Sequence, residues 1–259
     1  MKKLFIALVA IATFASCKKE TLDTLVPVVA QEPVFSKNVK TSSYSYNGSV
    51  PEIENFSFDA QGRIISYKKE YPGSIRIQTF DYATAGKIFS TYTNNGIVTT
   101  TYECSVNNQG YITANIIKNA AGALVYTYNY TYDANGYMVK SASTNAAGIT
   151  DHVEYKIEGG NLIERKLYYN GVLSNTGKYT YDLTKYNCFK YSYGANWAGV
   201  GFGKSSKNLI SNYQETNASG TVTWNINYNY QLNASGYAET RNYTESIHNY
   251  SGVETYTFQ

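Results

Sequence analysis

The sequence is poor in histidine and cysteine, the residue types that most often bind metal ions or act as nucleophiles. Its 259 residues include two histidines, His152 and His248, and three cysteines. No His-x-His, no Cys-x-x-Cys and no acidic cluster is present, so the spacing supports neither a metal site nor a catalytic dyad. Both histidines lie in strand-like segments, where we interpret them as residues of a polar face. The sequence therefore predicts no metal ligand, no cofactor and no catalytic residue.

Charged residues are few, and the two signs nearly cancel. Lys and Arg total 22, Asp and Glu total 19, and the net charge is +3 at pH 7. The basic residues are scattered along the chain, which argues against nucleic acid as a partner. The chain has no P-loop and no Gly-x-Ser-x-Gly motif. The glycines of 199–203 lack the strand-then-helix context of a phosphate-binding loop, so we interpret them as an irregular turn.

Glutamates leave one enzymatic alternative open. The carboxylate pair of a glycosidase can converge from distant strands, so sequence spacing does not exclude it. The candidates are Glu154, Glu158, Glu164, Glu215, Glu239, Glu245 and Glu254. Several alternate with apolar residues, and we interpret them, together with Arg241, as charged groups on a solvated face. A non-enzymatic protein is therefore preferred, with a polysaccharide-acting enzyme as the alternative.

Long apolar runs are missing except at the N-terminus. No later run approaches the roughly 20 residues of a membrane-spanning helix. Lys2 and Lys3 precede an apolar run over residues 4–14, and small residues follow up to Cys17. This layout is typical of a secretory signal, and the cysteine after small residues resembles the bacterial lipobox. The resemblance implies cleavage before Cys17 and lipidation of its thiol.

These observations divide the chain into three parts. Residues 1–16 are predicted to be a lipoprotein signal peptide, residues 17–40 a lipid-anchored linker and residues 41–259 a repetitive β-meander domain. The lipid makes the membrane a partner and indicates an outer-membrane lipoprotein that faces either the periplasm or the cell surface. Cys104 and Cys188 are open to two interpretations, a disulfide, which an exported compartment permits, or two buried free thiols.

Glycine, with 20 residues, marks an internal repeat. One set of glycines recurs at intervals of 24 to 26 residues, and a second set lies between its members. The first set is Gly62, Gly86, Gly110, Gly136 and Gly160, and the second is Gly73, Gly96, Gly122, Gly148 and Gly171. Less regular candidate turn centres follow at Asn187, Gly199, Asn208, Gly220, Gly236 and Gly252. This spacing indicates many short antiparallel strands joined by hairpins.

Six of these turns share one chemistry, with Asp or Asn first, alanine second and glycine fourth. They begin at Asp59, Asn119, Asp133, Asn145, Asn217 and Asn233. The first side chain can accept a backbone hydrogen bond from two residues on, which opens a type I turn. Glycine in the fourth place adopts a positive φ without steric cost. The motif indicates a folding device, since a calcium loop would need a longer run of oxygen ligands.

Tyrosine, with 28 residues, alternates with small polar residues in many segments. Over 126–132 every second residue is tyrosine, and over 224–232 Trp, Ile, Tyr and Leu alternate with Asn and Gln. This period of two indicates antiparallel sheet with one buried and one solvated face. With no helix to cover it, the sheet must curl into a sandwich, a flattened barrel or a wide barrel. The predicted fold class is all-β, an antiparallel meander of roughly 16 to 18 short strands curled into a barrel or flattened barrel.

The repeat unit resembles two known groups of sequences. Tyr-x-Tyr-Asp-x-x-Gly at residues 130–136 resembles the tyrosine-aspartate (YD) repeats of secreted shell proteins, and residues 58–64 match the phenylalanine variant. Over about residues 40–259, the chain is similar to Bacteroidetes lipoproteins of an uncharacterised domain family described as porin-like in fold. The segment at Tyr181 departs from the pattern, because Asn187 stands where glycine is expected. The resemblance implies a many-stranded meander and no known activity.

The preferred function is therefore a non-enzymatic, lipid-anchored envelope protein with a structural or ligand-binding role. A glycan is the candidate ligand, and another envelope protein is a candidate partner. Trp197 and Trp224 are the candidate binding residues, because indole rings on a sheet surface or rim can stack on sugar rings. A membrane-embedded β-barrel is an alternative, although its lipid-facing band should be rich in Leu and Val rather than tyrosine.

Overall fold

The computed structural model describes residues 32–189 and 201–259. Within a compact unit that spans Pro33–Gln259, the described residues form sixteen antiparallel strands that close into one barrel. The predicted all-β meander is confirmed. None of the described residues belongs to a helix long and apolar enough to cross a membrane.

The strands are seven to fifteen residues long. In the first half of the barrel they are β1 Val39–Tyr46, β2 Glu52–Phe58, β3 Ile64–Tyr71, β4 Ser74–Asp81, β5 Lys87–Asn94, β6 Ile97–Val106, β7 Ile112–Asn119 and β8 Leu124–Tyr132. In the second half they are β9 Met138–Asn145, β10 Thr150–Glu158, β11 Asn161–Tyr169, β12 Val172–Tyr186, β13 Asn208–Asn217, β14 Val222–Leu232, β15 Ala238–Glu245 and β16 Tyr250–Phe258. β1 begins just ahead of residue 41, where the barrel domain was predicted to start.

The topology is a simple meander in which each strand pairs with its sequence neighbours. β16 returns to pair with β1, with Tyr44 opposite Glu254. Backbone hydrogen bonds between Asn38 and Gln259, at 3.0 and 2.9 Å, extend this closure beyond the strands. Because each of the sixteen strands has two partners, none of the described strands has an unpaired edge.

The two sets of regularly spaced glycines mark the two ends of the barrel. The first set, Gly62 to Gly160, lies in turns at the end that also carries the β12–β13 connection, which we name the loop end. The second set, Gly73 to Gly171, lies in turns at the opposite end, which we name the hairpin end. The interval of 24 to 26 residues therefore corresponds to one strand up, one strand down and their two turns.

The six Asx turns form as predicted. At the turn after β8, Asp133 Oδ1 accepts the N–H groups of Asn135 and Tyr137, both at 2.9 Å. Gly136, with φ of 88°, donates its N–H to the Asp133 carbonyl at 3.0 Å. The other five turns have the same pair of side-chain bonds. A seventh copy begins at Asn107 and has the same bonds without the alanine.

The tyrosine-rich face is the inner face of the barrel. On β8 the rings of Tyr126, Tyr128 and Tyr130 follow one another at centroid distances of 5.9 and 6.1 Å. Tyr130 also contacts Phe202 of the β12–β13 connection, at 5.1 Å. The intervening Thr and Asn residues, such as Asn129, point to the outer face and are more exposed. The alternation predicted for this segment is thus confirmed.

Two apolar clusters fill the interior near the loop end. One is centred on Cys188, Phe189 and Leu209, and the other on Cys104 and Ile112 with Phe202. The β12–β13 connection contributes to both and is fastened to the loop-end turns by backbone hydrogen bonds. Its described bonds are Ile112 N to Gly201 O at 2.6 Å, Lys204 N to Gly136 O at 2.8 Å and Lys207 N to Gly160 O at 2.9 Å. The described residues of this connection therefore line this end of the interior.

Some of the less regular turn centres differ from the sequence interpretation. Asn208 begins β13 and Gly252 lies inside β16, so neither is a turn centre, and Gly199 lies outside the described residues. Cys104 and Cys188 are free, buried thiols in different clusters, which decides between the two interpretations. Burial raises the pKa of the Cys104 thiol to about 12, so it remains protonated at neutral pH.

Candidate functional site

The inner face carries charged residues among its tyrosines, which corrects the interpretation of these residues as solvated. Arg241 Nη2 lies 2.5 Å from Glu254 Oε2, and both side chains are largely buried. The Tyr256 hydroxyl also donates to Glu254, and the guanidinium of Arg241 lies 5.4 Å from the ring centroid of Tyr228. Burial alone would lower the pKa of Arg241, but the negative charge of Glu254 and the nearby tyrosine hydroxyls raise it well above the usual value. Arg241 therefore stays protonated at neutral pH.

A second buried network surrounds Glu215. Its Oε2 accepts hydrogen bonds from Arg165 Nη2 at 2.6 Å and from the Tyr213 hydroxyl at 2.5 Å, while its Oε1 accepts from Asn175 Nδ2 at 3.0 Å. Burial raises the pKa of Glu215, but these bonds and the charge of Arg165 lower it overall. Gly177 makes the arrangement possible, because a Cβ there would lie 2.8 Å from the Tyr213 ring and 3.0 Å from Arg165.

A third charged group lies on β2 and β3. Lys69 Nζ is 2.8 Å from Glu52 and 3.2 Å from Glu54. Glu54 also accepts hydrogen bonds from the Tyr67 hydroxyl at 2.8 Å and from Ser42 Oγ at 2.9 Å. Burial alone lowers the pKa of Lys69, but the two carboxylates raise it overall. The interior is thus lined by tyrosines with ion pairs set between them.

An aromatic rim marks the inner face at the hairpin end. We use this name for Trp224, His248, Tyr250 and Tyr46. The Trp224 ring lies 4.6 Å from His248 and 5.8 Å from Tyr250, and Tyr250 lies 5.0 Å from Tyr46. Trp224 remains 36% exposed. The rim therefore offers flat aromatic surface to solvent at one end of the barrel.

Glu245 holds the turn that supports this rim. The carboxylate is 2% exposed and accepts the backbone N–H groups of Asn225, Ile247 and His248 at 3.1, 3.0 and 2.6 Å. Burial raises the pKa of Glu245, but these bonds, with that of His248 first, outweigh it and hold the pKa at about 2. Glu245 is consequently a fixed anion at neutral pH. It fixes the β15–β16 turn beside Trp224.

Tyr243 extends the aromatic surface from the rim into the barrel. Its hydroxyl donates to the Tyr44 hydroxyl at 2.5 Å, and the two rings are parallel, with centroids 5.9 Å apart. The Tyr243 ring lies directly over Gly252, where a Cβ would come within 2.0 Å of the hydroxyl oxygen. Only glycine at this position leaves room for the ring.

Comparison with solved structures identifies the architecture. The barrel is porin-like in fold. A porin-like protein from Bacteroides uniformis superimposes with a TM-score of 0.69 at 14% sequence identity, covering 88% of this chain and 100% of that chain. A porin-like protein from Bacteroides vulgatus gives a TM-score of 0.51 at 13% identity, covering 86% and 99%. At these identities the likeness concerns the fold, and it confirms the porin-like fold that the sequence resemblance implied.

Sequence comparisons add nothing to this likeness. No protein-family model matches the chain, and no curated protein is similar to it in sequence.

The porin-like barrel places one of the predicted site residues where a ligand can reach it. Trp224 belongs to the aromatic rim, whereas Trp197 and Cys17 lie outside the described residues. His152 is on the outer face, stacked on Tyr168 at 4.4 Å, and His248 belongs to the rim. In the part of the chain that the structure describes, no group of three His, Cys, Asp or Glu side chains could hold a metal ion.

Glu215, Glu254 and Arg241 were named in the sequence analysis, which missed that they lie in the interior and form ion pairs there. The signal was present, because Arg241 alternates in step with Tyr243, and Glu254 with Tyr256. Residues two apart on a strand share a face. A charged residue in step with buried tyrosines therefore belongs to the interior, whatever its usual preference for solvent.

Proposed function

We propose that this protein is a non-enzymatic, lipid-anchored envelope protein that binds a glycan at the aromatic rim. The observation that carries the proposal is the partly exposed Trp224, packed between His248 and Tyr250 and held by the Glu245-capped turn. Rigid aromatic rings bury much apolar area at little cost in conformational entropy, and their faces suit the flat C–H faces of sugars. The tyrosine hydroxyls and charged groups beneath the rim supply polar contacts for sugar hydroxyls.

The first described residues of the chain contact the barrel at its loop end. Phe35 packs on Tyr237 at the loop end, with ring centroids 5.0 Å apart, and the N–H groups of Ser36 and Lys37 donate to the Tyr237 hydroxyl. The described chain therefore enters the barrel at the loop end, opposite the aromatic rim at the hairpin end.

The outer face favours a barrel surrounded by water over a membrane-embedded one. Asn225, Asn227 and Asn229 follow one another on the outer face of β14. On β10, Lys156 and Glu158 form an ion pair at 2.7 Å with side chains 60% and 58% exposed. A lipid-facing band is apolar over about 25 Å, and amide and charged side chains at these positions would be costly in it.

Replacing Trp224 by alanine is expected to abolish glycan binding or weaken it at least about tenfold, because the rim loses its largest exposed ring. A glycan array with the full chain carrying Cys17→Ser, which removes the lipid, first selects the polysaccharide. Affinity electrophoresis in gels that contain this polysaccharide then measures the retardation of the Trp224→Ala variant.

Tyr168→Ala is the matched control, since Tyr168 also stacks on a histidine but lies on the outer face. This variant should bind like the parent protein. Equal loss in both variants, or no glycan bound by the parent protein, would exclude the aromatic rim as a glycan site.

Cys17→Ser is expected to release the protein from the membrane fraction and to stop incorporation of an alkyne-labelled fatty acid. Cys104→Ser provides the control, because Cys104 is a buried thiol inside the barrel. Membrane association and fatty-acid labelling that persist in the Cys17→Ser variant would contradict the anchor.

A further inference from the structure

A cavity of about 270 Å³ lies between the inner wall of the barrel and the β12–β13 connection. Arg165 and Arg241 contribute to its wall, and Lys204 contributes from the connection. No aspartate or glutamate is among the described residues that line it. Aromatic rings, among them Tyr179 and Phe202, form much of the remaining wall. The cavity therefore combines cationic hydrogen-bond donors, two of them paired with Glu215 and Glu254 behind the wall, with flat apolar surface.

Arg165 presents unused hydrogen-bond donors to this cavity. Its hydrogen bonds to the described residues, with Tyr213 and Glu215, both at 2.6 Å, all use Nη2. Neither partner lines the cavity. A guanidinium has five N–H donors, and Nε of Arg165 lies beside Gly177 on β12, so Nη1 is the nitrogen left for a group in the cavity. A hydrogen bond from a charged guanidinium to a carboxylate is a strong one.

Tyr179 supplies a second donor beside Arg165. Its ring packs on that of Tyr213 at 5.0 Å, while its hydroxyl makes no hydrogen bond to any of the described residues. Burial raises the pKa of this hydroxyl, so it carries its proton at neutral pH. The Tyr179 hydroxyl and the guanidinium of Arg165 are thus two donors facing one space.

From this geometry we propose that the cavity binds a small organic carboxylate with a flat apolar body. The carboxylate accepts hydrogen bonds from Arg165 and Tyr179, and the body lies against the aromatic wall. The volume is slightly below the roughly 300 to 1,000 Å³ of typical ligand pockets, which limits the ligand to about one ring. This cavity lies at the loop end, away from Trp224, and the proposal does not depend on glycan binding at the rim.

The test is isothermal titration calorimetry of the full chain carrying Cys17→Ser with benzoate and with phenylacetate. Their neutral amides, benzamide and phenylacetamide, are titrated in parallel. We expect at least one acid to bind and its amide to bind at least about tenfold more weakly, because hydrogen bonds to a charged group are the stronger ones. Arg165→Lys keeps a positive charge for Glu215 but removes the second terminal nitrogen that donates to the cavity, and it should weaken acid binding at least about tenfold.

Tyr179→Phe keeps the test decisive if Arg165→Lys does not fold. The Tyr179 hydroxyl has no hydrogen-bond partner among the described residues, so its removal should leave stability unchanged and weaken acid binding several-fold. Tyr168→Phe on the outer face is the control and should bind the acid like the parent protein. Failure of both acids to bind, equal binding of acid and amide, or unchanged binding in Tyr179→Phe would each overturn the proposal.

Discussion

Replacing Arg241 by methionine should destabilise the barrel by about 3 to 5 kcal/mol, because removal of one partner leaves the other charge buried. Glu254 would lose the guanidinium that lies 2.5 Å away, with a side chain only 10% exposed. Methionine has nearly the length of the aliphatic part of arginine. The lost stability therefore results more from the missing charge than from altered packing. Urea unfolding followed by tyrosine fluorescence measures the change.

Two further variants distinguish the effect of a buried unpaired charge from a general loss of stability on substitution of any charged residue. Lys156→Met breaks the exposed pair with Glu158 and should cost at most about 1 kcal/mol, since surface pairs contribute little. Adding Glu254→Leu to Arg241→Met removes the orphaned carboxylate and should recover much of the lost stability. If the Arg241 and Lys156 variants lose equal stability, the interior pair has no special role.

Replacing Gly252 by alanine should destabilise the barrel by about 1 to 3 kcal/mol, the usual cost of overpacking a filled interior. The added Cβ would lie 2.3 Å from Tyr243 Cζ, so the ring must leave its position over the strand. Its hydroxyl bond to Tyr44 and its stacking on that ring would be lost together. The free energy of unfolding in urea is again the measurement.

The proposed cause of this loss is the contact with Tyr243, and a double-mutant cycle tests it. In a Tyr243→Ala background, Gly252→Ala should cost little, because nothing remains for the Cβ to meet. Ser251→Ala, one residue away on the exposed face of β16, should change stability by at most about 0.5 kcal/mol. If Gly252→Ala costs as much stability in the Tyr243→Ala background as in the parent protein, the backbone rather than the Tyr243 ring requires glycine at this position.

The strands and turns were predictable because their determinants are local. In the Asx turns, an Asx residue and a glycine three positions later set the turn through hydrogen bonds within five residues, as at Asp133 and Gly136. Alternation then assigns each residue between two turns to one of two faces. A meander of roughly 16 to 18 strands followed from these two rules without knowledge of any distant contact.

The contents of the interior were harder to predict because they depend on contacts between distant residues. Glycine at position 252 resembles a turn glycine by type, and only the ring of Tyr243 on the neighbouring strand explains it. Likewise, Arg165 and Glu215 are fifty residues apart and meet only when β11, β12 and β13 lie side by side. Sequence patterning gives the face on which a side chain lies but not its partner.

The packing of the β12–β13 connection was also not predictable from sequence patterning. It lacks the repeat pattern, since Asn187 stands where the regular turns have glycine. The structure nevertheless fastens its described residues to three separate turns, through Gly201, Lys204 and Lys207. These described residues line the interior through contacts with distant turns, which no local sequence pattern predicts.

The most direct test of the proposed binding function is a crystal structure of the barrel with an oligosaccharide of the polysaccharide that the glycan array selects. The proposal predicts that the sugar lies on the inner face at the hairpin end, with a ring stacked on Trp224 and polar contacts near Tyr250. A sugar held on the outer Thr- and Asn-rich face, or at the loop end, would contradict it.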